Sequence, residues 1–281
     1  MEEGPSRTSM LAAIGRGLHR EWHRPPWVLD DPYALSLAGP GWPNLFSVYE
    51  ALLSRRFFEL AVAGLVVRSR YAEDRLEAGG FSQYVLLGAG MDSFAWRRPD
   101  LLREMTVFEV DHPSTQAWKR ERIAALCLPE SERHVFVPAD FETEHLREVL
   151  DRAGFDWGKP TLFSWLGVVM YLTRDAIAAT LRTLAGAAPG SGIVMTYLPT
   201  PEYLDDESLA FLQVMEPLLV QMGEPFQEGF TPAEIEAFVH RCGHVVDEHL
   251  SREELEFRYF AGRKDELHPY TLERVLSTSL P

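Results

Sequence analysis

Apolar positions recur at helical spacing through the first 80 residues. Residues 9–22 are predicted to be helical, and apolar residues also recur at helical spacing from 47 to 67. Proline- and glycine-rich sequences separate these segments. We therefore expect residues 1–80 to form a helical cap, and residues 81–281 to form a larger second domain.

From residue 81 onward, short apolar runs alternate with amphipathic segments. The predicted strands lie at residues 84–87, 106–110, 135–137, 161–165 and 193–197, and the predicted helices between them lie at 114–126, 144–153 and 174–185. This alternation is typical of a doubly wound α/β fold, in which helices cover both faces of a mostly parallel sheet. Residues 244–250 and 255–261 predict two more strands, which a polar turn would join into an antiparallel hairpin at one edge of the sheet.

Three predicted strands end in residues suited to a ligand. The first ends at Gly88 and Gly90, which let the backbone turn sharply and approach a ligand without a Cβ in the way. The second delivers Asp111, and an acid about 20 residues after such a turn is how α/β sheets hold an adenosine ribose. The third ends near Asp140, which could accept from an adenine amino group while Phe141 flanks the ring. These strand ends predict a nucleoside-containing cofactor.

Each acid also has a simpler structural interpretation. Asp111 precedes His112 and Pro113, where a helix is expected to begin, so its carboxylate could be the N-cap of that helix. Asp140 could cap the next helix in the same way. A lone glycine turn is likewise a weak signal, and only the combination of three strand ends at one edge of a sheet favours a ligand site.

The acidic side chain in the turn discriminates between two classes of cofactor. A dinucleotide-binding turn normally has a third glycine or alanine where this chain has Ser93, and the charge of Asp92 would oppose a pyrophosphate. S-adenosylmethionine has no phosphate but carries a sulfonium and an ammonium group, which a carboxylate attracts. We therefore predict S-adenosylmethionine as the cofactor. The alternative is a nicotinamide oxidoreductase. The absence of a lysine four residues after Tyr171 also argues against this alternative.

Composition narrows the remaining possibilities. The formal net charge of −15 argues against a nucleic-acid partner, which requires a basic surface. Cys127 and Cys242 lie outside any metal-ligand spacing, so we expect reduced thiols and predict no metal. The first residues are acidic and polar, unlike a signal peptide, and the longest apolar stretch, 60–67, is too short to span a bilayer. We expect a cytoplasmic protein that binds no membrane.

Five motifs occur in order at residues 68–74, 83–93, 107–113, 139–141 and 167–173. Together they resemble the leucine carboxyl methyltransferase family, and in particular its bacterial branch of polyketide-type O-methyltransferases. The resemblance implies a class I methyltransferase fold with a helical lid over an S-adenosylmethionine site. One position departs from the family pattern, because Leu166 stands where many relatives have a glutamate. A contact to the cofactor's amino group or to the substrate is then either missing or made by another residue, for which Ser164 and Asp92 are the candidates.

The resemblance implies roles for individual residues. Arg70 would pair with the methionine carboxylate of the cofactor, a task that suits a bidentate guanidinium, and it is predicted to be catalytic together with Tyr171 and Tyr197. The glycines would line the methionine end of the cofactor, Asp111 would hold the ribose, and Asp140 would hold the adenine. The predicted cofactor-binding residues are Arg70, Gly88, Ala89, Gly90, Asp92, Asp111, His112, Asp140, Phe141 and Ser164.

Aromatic residues near the ends of the fourth and fifth strands predict the pocket for the methyl acceptor. These residues are Trp165, Tyr171, Tyr197 and Tyr203, and packing in the core is an equally good interpretation of Trp165. In the cap, four basic side chains share one helical face: Arg16, His19, Arg20 and His23. That face either attracts an acidic acceptor, with Arg20 in contact, or is simply solvated.

The chemistry leaves the acceptor group open. An ionised carboxylate needs no general base, whereas a hydroxyl group usually needs one. We predict an O-methyltransferase that acts on a carboxylate of a small, polyketide-like molecule or of a peptide. A phenolic or enolic hydroxyl in secondary metabolism is the close alternative, and a non-catalytic S-adenosylmethionine-binding protein is another.

Overall fold

The computed structural model describes residues 4–140, 144–265 and 267–281, and its centre is one seven-stranded sheet. The strands are β1 (Gln83–Leu87), β2 (Thr106–Asp111), β3 (His134–Pro138), β4 (Thr161–Trp165), β5 (Gly192–Tyr197), β6 (Val245–Leu250) and β7 (Arg274–Ser279). Their order is β3-β2-β1-β4-β5-β7-β6. The first five strands of this order are parallel, and β7 is antiparallel to both β5 and β6.

Helices precede the sheet and connect its strands. In the described residues they are α1 (Arg7–Trp22), α2 (Ala34–Ala38), α3 (Trp42–Glu50), α4 (Arg55–Ala78), α5 (Phe94–Arg97), α6 (Pro113–Ala125), α7 (Leu146–Arg152), α8 (Arg174–Leu184), α9 (Asp206–Gln221), α10 (Pro232–Arg241) and α11 (Arg252–Leu255). Both ends of the first five predicted strands, and of the three helices predicted between them, agree with the structure to within one or two residues.

The strands form because their apolar side chains are buried on both faces of the sheet. Along β1, Tyr84 and Leu86 belong to one hydrophobic cluster, while Val85 and Leu87 belong to another on the opposite face. The first cluster continues into α1 and α4, and the second continues into α7, α8 and α10. Continuous apolar runs are therefore required in the central strands, which explains why the sequence revealed them.

The carboxyl-terminal hairpin predicted from the sequence is wrong in its second strand. Residues 255–261 are not a strand: α11 is followed by a π-helical turn, Glu256–Phe260. Ser251 begins this helical segment, because its hydroxyl accepts from the backbone N–H of Glu254 while the Glu254 carboxylate accepts from the backbone N–H of Ser251. The antiparallel edge exists, but the strand that pairs with β6 is β7, which lies between β5 and β6.

Two helices occupy the region 47–67, in which apolar residues recur at helical spacing. Helix α3 ends at Glu50, and Ser54 caps α4 by accepting a hydrogen bond from the backbone N–H of Phe57. Helix α4 then runs for 24 residues, beyond the predicted end. Since α1 and α4 share a hydrophobic cluster with the sheet, the division at residue 80 stays a prediction.

Length and hydropathy separate these helices from membrane spans. Among the described residues, none of the helices is both long enough and apolar enough to cross a bilayer.

Candidate active site

A cavity of about 810 Å³ opens at the carboxyl ends of the parallel strands, beneath α1 and between α4 and α9. Its volume falls within the range of about 300–1,000 Å³ that is usual for small-molecule sites. Of the residues predicted from the sequence, the cavity walls contain Gly88, Ala89, Gly90, Asp92, Asp111, His112, Asp140, Ser164 and Tyr171. The structure therefore brings most of the predicted cofactor residues to one place. Phe141 lies outside the described residues.

The glycine turn after β1 forms the floor of the cavity. Gly88 and Gly90 have φ angles of +72° and +51°, which side-chain-bearing residues rarely adopt. The backbone N–H of Gly88 donates to the carbonyl of Val110 at 2.8 Å, so the turn is fixed to the end of β2. A Cβ on Gly88 would overlap the side chain of Val168, and one on Gly90 would lie 3.0 Å from the Cβ of Ser9. Both glycines are needed because neighbouring chain lies so close.

Asp111 links the ends of β1 and β2. Its carboxylate accepts from the backbone N–H of Gly90 at 2.5 Å and from that of His112 at 2.7 Å. Burial raises the pKa of Asp111, although these two hydrogen bonds act in the opposite direction. An ionised carboxylate has about four lone-pair positions, so the two remaining ones are open to hydroxyl donors in the cavity.

The helix-capping interpretation of Asp111 does not apply in the structure. The N-cap of α6 is His112, whose Nδ1 accepts from the backbone N–H of Ser114 at 3.3 Å. Helix α7 begins after His145, five residues beyond Asp140. Asp111 instead fixes the glycine turn through its two backbone hydrogen bonds, and both Asp111 and Asp140 line the cavity.

A buried network of ion pairs fixes α1 over the glycine turn. Arg16 pairs with Asp31 at 3.0 Å and also donates to the carbonyl of Met91 at 2.7 Å. Arg97 donates to Ser93 at 2.8 Å and pairs with Glu73 at 2.7 Å, and Ser93 in turn donates to Asp31 at 2.6 Å. Burial alone would raise the pKa of Asp31, but the two guanidinium groups outweigh it and hold that pKa below its usual value.

This network corrects the interpretation of the basic face in the cap. Arg16, His19 and His23 are buried, so most of this face packs inside the protein, and of its four basic side chains only Arg16 lines the cavity. Burial, reinforced by the neighbouring His23, lowers the pKa of His19 to about 3, and its Nε2 accepts from the backbone N–H of Val28 at 3.1 Å. Arg20 pairs with Asp30 at 2.8 Å and is not among the cavity residues.

The structure places Arg68, and not Arg70, at the cavity. Arg70 is exposed on α4 and pairs with Asp74 at 2.7 Å. Two residues earlier, Arg68 faces the cavity, and its Nη1 donates to both carboxylate oxygens of Glu273 at 2.6 and 2.7 Å. Burial would lower the pKa of Arg68, but Glu273 outweighs this and raises it. Because successive helical residues turn by about 100°, a shift of two positions moves a side chain to the opposite face.

Three of the predicted acceptor-binding residues lie elsewhere. Trp165 is fully buried in the core, and so is Tyr197, whose hydroxyl bonds to Nε2 of His249 at 2.8 Å. Tyr203 is exposed on the surface. The side chains of Trp165 and Tyr197 point into the face of the sheet covered by α8 and α10, so the structure does not support a role for them in contact with an acceptor. Tyr171 alone of this set lines the cavity.

An apolar chamber makes up the other part of the cavity, and sequence reasoning missed it. Its walls come from α3, α4 and α9, and we define it by Tyr49, Phe58, Val62, Phe211, Met215 and Leu219. Glu224 also lines the cavity, and its carboxylate accepts from the backbone N–H of Thr8 at 3.3 Å. Burial and then the charge of Glu224 raise the pKa of Tyr171. Arg68 lies in the family motif at residues 68–74, whereas the residues of the chamber form no recognisable pattern in the sequence.

The order of the strands and the position of the cavity can be compared with known proteins. The profile of the family described as leucine carboxyl methyltransferase matches residues 9–185. The chain belongs to this family. The family match includes the glycine turn, Asp111 and Asp140, and it ends before the part of the chain that supplies α9 and Glu273.

Individual relatives agree with this membership. YktD of Bacillus subtilis, provisionally named as an S-adenosyl-L-methionine-dependent methyltransferase, is 37% identical over 194 residues, which cover 68% of this chain but only 63% of YktD. A Mycobacterium avium protein with the same provisional name is 34% identical over 215 residues, covering 75% of this chain and 69% of that protein. A Thermobifida fusca crystal structure, provisionally named as a methyltransferase, has a TM-score of 0.63 at 14% identity and covers 99% of this chain and 96% of that one.

The predicted fold class and family are confirmed by these comparisons. The names of these relatives agree with the predicted methyltransferase class and with its S-adenosylmethionine cofactor.

The residues around the glycine turn fit S-adenosylmethionine better than a dinucleotide. Asp92 lines the cavity at the turn, and its carboxylate accepts from the backbone N–H of Phe94 at 2.6 Å. A negative group held there opposes a pyrophosphate and attracts a sulfonium or ammonium cation. Leu166, Ser164 and Asp92 all line the cavity.

Proposed function

We propose that this chain is an S-adenosylmethionine-dependent O-methyltransferase that esterifies a carboxylate of a small molecule or of a peptide. One observation carries the proposal: a single cavity joins the glycine turn and Asp111 to an apolar chamber large enough to admit a second ligand. A cofactor in the first part and an acceptor in the second would lie next to each other in one cavity, and group transfer requires this proximity.

The residues at the glycine-turn end of the cavity would each bind a different part of the cofactor. Asp111 would accept from the ribose hydroxyls, Asp140 from the adenine amino group, and Asp92 would face the cationic methionine end. When bound, S-adenosylmethionine supplies a methyl group on a sulfonium cation, and its transfer to an ionised acid gives a neutral ester and S-adenosylhomocysteine without release of a proton. Arg68 replaces Arg70 in our proposal as the guanidinium that faces the reacting groups.

The protein would act mainly by positioning and by excluding water. Helix α1, fixed by the Arg16–Asp31 pair, covers the glycine turn and separates it from solvent. Enclosure of this kind strengthens the attraction between an ionised acceptor and a cation, because fewer water molecules screen it. We retain the cytoplasmic location and the lack of a nucleic-acid or membrane partner as predictions from composition.

A hydroxyl acceptor is the second candidate, and the position of Glu224 favours it. A carboxylate that lines the cavity next to Tyr171 could take the proton that a phenol or enol must lose. The two candidates differ in their product, because a methyl ester is hydrolysed by mild alkali to volatile methanol whereas a methyl ether is stable.

Two measurements test the proposal in sequence. Calorimetric titration should show that S-adenosylhomocysteine binds and NADH does not, and that Asp111→Ala abolishes the binding. Transfer of radiolabelled methyl groups from S-adenosylmethionine to panels of apolar acids and phenols should then give alkali-labile products. Binding without transfer to either panel would favour a non-catalytic protein, and binding of NADH alone would refute the cofactor assignment.

A further inference from the structure

The walls of the apolar chamber indicate what kind of acceptor it can hold. Phe211 and Met215 of α9 belong to the same hydrophobic cluster as Met170 and Tyr171, which follow β4. The chamber is therefore continuous with the part of the cavity at the strand ends. An acceptor whose reactive group lies near the glycine turn would have its remaining atoms against these apolar side chains.

Polar groups in the chamber walls already bond to protein partners. Tyr49 donates to the sulfur of Met222 at 3.1 Å, and Tyr270 donates to Glu273 at 3.4 Å. Both carboxylate oxygens of Glu273 also accept from Arg68. Among the six side chains that define the chamber, only Tyr49 carries a hydroxyl group, so most amides of a peptide buried against them would lose their hydrogen bonds to water without replacement. That loss lowers affinity by about tenfold for each amide.

The chamber is also adaptable within its apolar character. Met170, Met215 and Met222 all line the cavity, and their unbranched thioether side chains can change shape around an irregular ligand. Such walls accept hydrocarbon chains and rings of different outline but give no added affinity for polar backbone. The exact shape of a ligand therefore matters little for binding in this chamber, whereas its apolar surface matters strongly.

We propose that the apolar chamber binds the hydrocarbon body of a small carboxylic acid without peptide bonds, an aliphatic or aryl-substituted acid with its carboxylate towards the glycine turn. The fate of that carboxylate rests on the proposed function, whereas binding of the body does not. Of the two acceptors left open, small molecule and peptide, the chamber selects the first.

Calorimetric titration with two probe acids tests this assignment, in the presence of saturating S-adenosylhomocysteine. We expect dodecanoic acid to bind at least about tenfold more tightly than N-acetyl-alanyl-alanyl-leucine, which has the same terminal group but several amides. Met215→Trp should weaken dodecanoic acid by at least about tenfold, because the indole fills the chamber. Gln213→Trp places the same side chain on the exposed face of α9 and should leave the affinity within about twofold.

The outcomes separate this inference from the proposed function. Both tryptophan variants should bind S-adenosylhomocysteine as the wild type does, which shows that they fold and that the cofactor end is intact. A tripeptide that binds as tightly as dodecanoic acid, or a Met215→Trp variant with wild-type affinity for that acid, would overturn the inference. If S-adenosylhomocysteine does not bind but the acid series behaves as expected without it, the proposed function fails and the chamber assignment stands.

Discussion

Replacement of Gly88 by alanine tests how closely the glycine turn is held. Gly88 has a φ angle of +72°, and a Cβ there would lie closer than 3.0 Å to the side chain of Val168. Gly80 provides a matched control, because its φ angle is +66° but a Cβ there meets no atom within 4 Å. Both substitutions force alanine into the left-handed region, and only the one at Gly88 also creates an overlap.

The expected losses of stability follow from the left-handed backbone conformation and from the overlap with Val168. The left-handed conformation costs a residue with a Cβ about 1–2 kcal/mol, so Gly80→Ala should lower the free energy of unfolding by about that amount. Overlap in a packed region adds about 1–3 kcal/mol, so Gly88→Ala should lower it by about 2–5 kcal/mol. Because Gly88 and Val168 both line the cavity, relief of the overlap must move the cavity wall.

Urea unfolding and calorimetric titration with S-adenosylhomocysteine measure the two consequences. We expect Gly80→Ala to bind the ligand as the wild type does, and Gly88→Ala to lose at least about tenfold in affinity. If Gly88→Ala loses no more stability than Gly80→Ala and binds with wild-type affinity, the close approach at the turn is not a property of the protein in solution.

Two further predictions concern charged side chains. Arg70→Ala should change the affinity for S-adenosylhomocysteine by no more than about twofold, as for an exposed residue, while Arg68→Met should lower the free energy of unfolding by about 3–5 kcal/mol because Glu273 is left buried and unpaired. Calorimetry and urea unfolding check the pair, and equal effects at both arginines would contradict the placement. For Asp31, burial raises the pKa but Arg16 outweighs it, so the net pKa is lowered. Its stabilising contribution is then complete above about pH 4 and is lost as the pH falls through the lowered pKa. Asp31→Asn should therefore flatten the acid side of the stability profile, and an unchanged slope would refute the ion pair.

The central strands were predictable because their environment leaves only one kind of sequence. A strand such as β1, buried on both faces, needs an unbroken apolar run whatever its neighbours are, and its end is marked by glycine. The edge of the sheet was less predictable. Strand β7 pairs with β5 and β6, and nothing near residues 274–279 specifies partners so far away in the chain. The error at 255–261 was local, because the capping pair of Ser251 and Glu254 was not recognised.

The candidate site also contains residues that the sequence predicts and others that only the structure identifies. Asp111 was found from sequence because parallel strands bring their carboxyl ends to one edge, so an acid at a strand end is placed by the fold class alone. Arg68 was missed in favour of Arg70, since both belong to one motif and only the packing of α4 decides which faces the cavity. The basic face of α1 was misread for the same reason, because burial against the turn is a property of the assembled protein.

The sequence by itself determined the order of strands and helices, the glycine turn with its acids, and the family. These depend on local periodicity and on short motifs that occur in order between residues 68 and 173. Only the tertiary structure decided that Tyr49 and Met215 face one chamber, that Arg68 pairs with Glu273, and that Tyr197 packs in the core. Such residues are chosen by contacts between distant segments, and apolar or charged side chains look the same in sequence whether they line a cavity or fill a core.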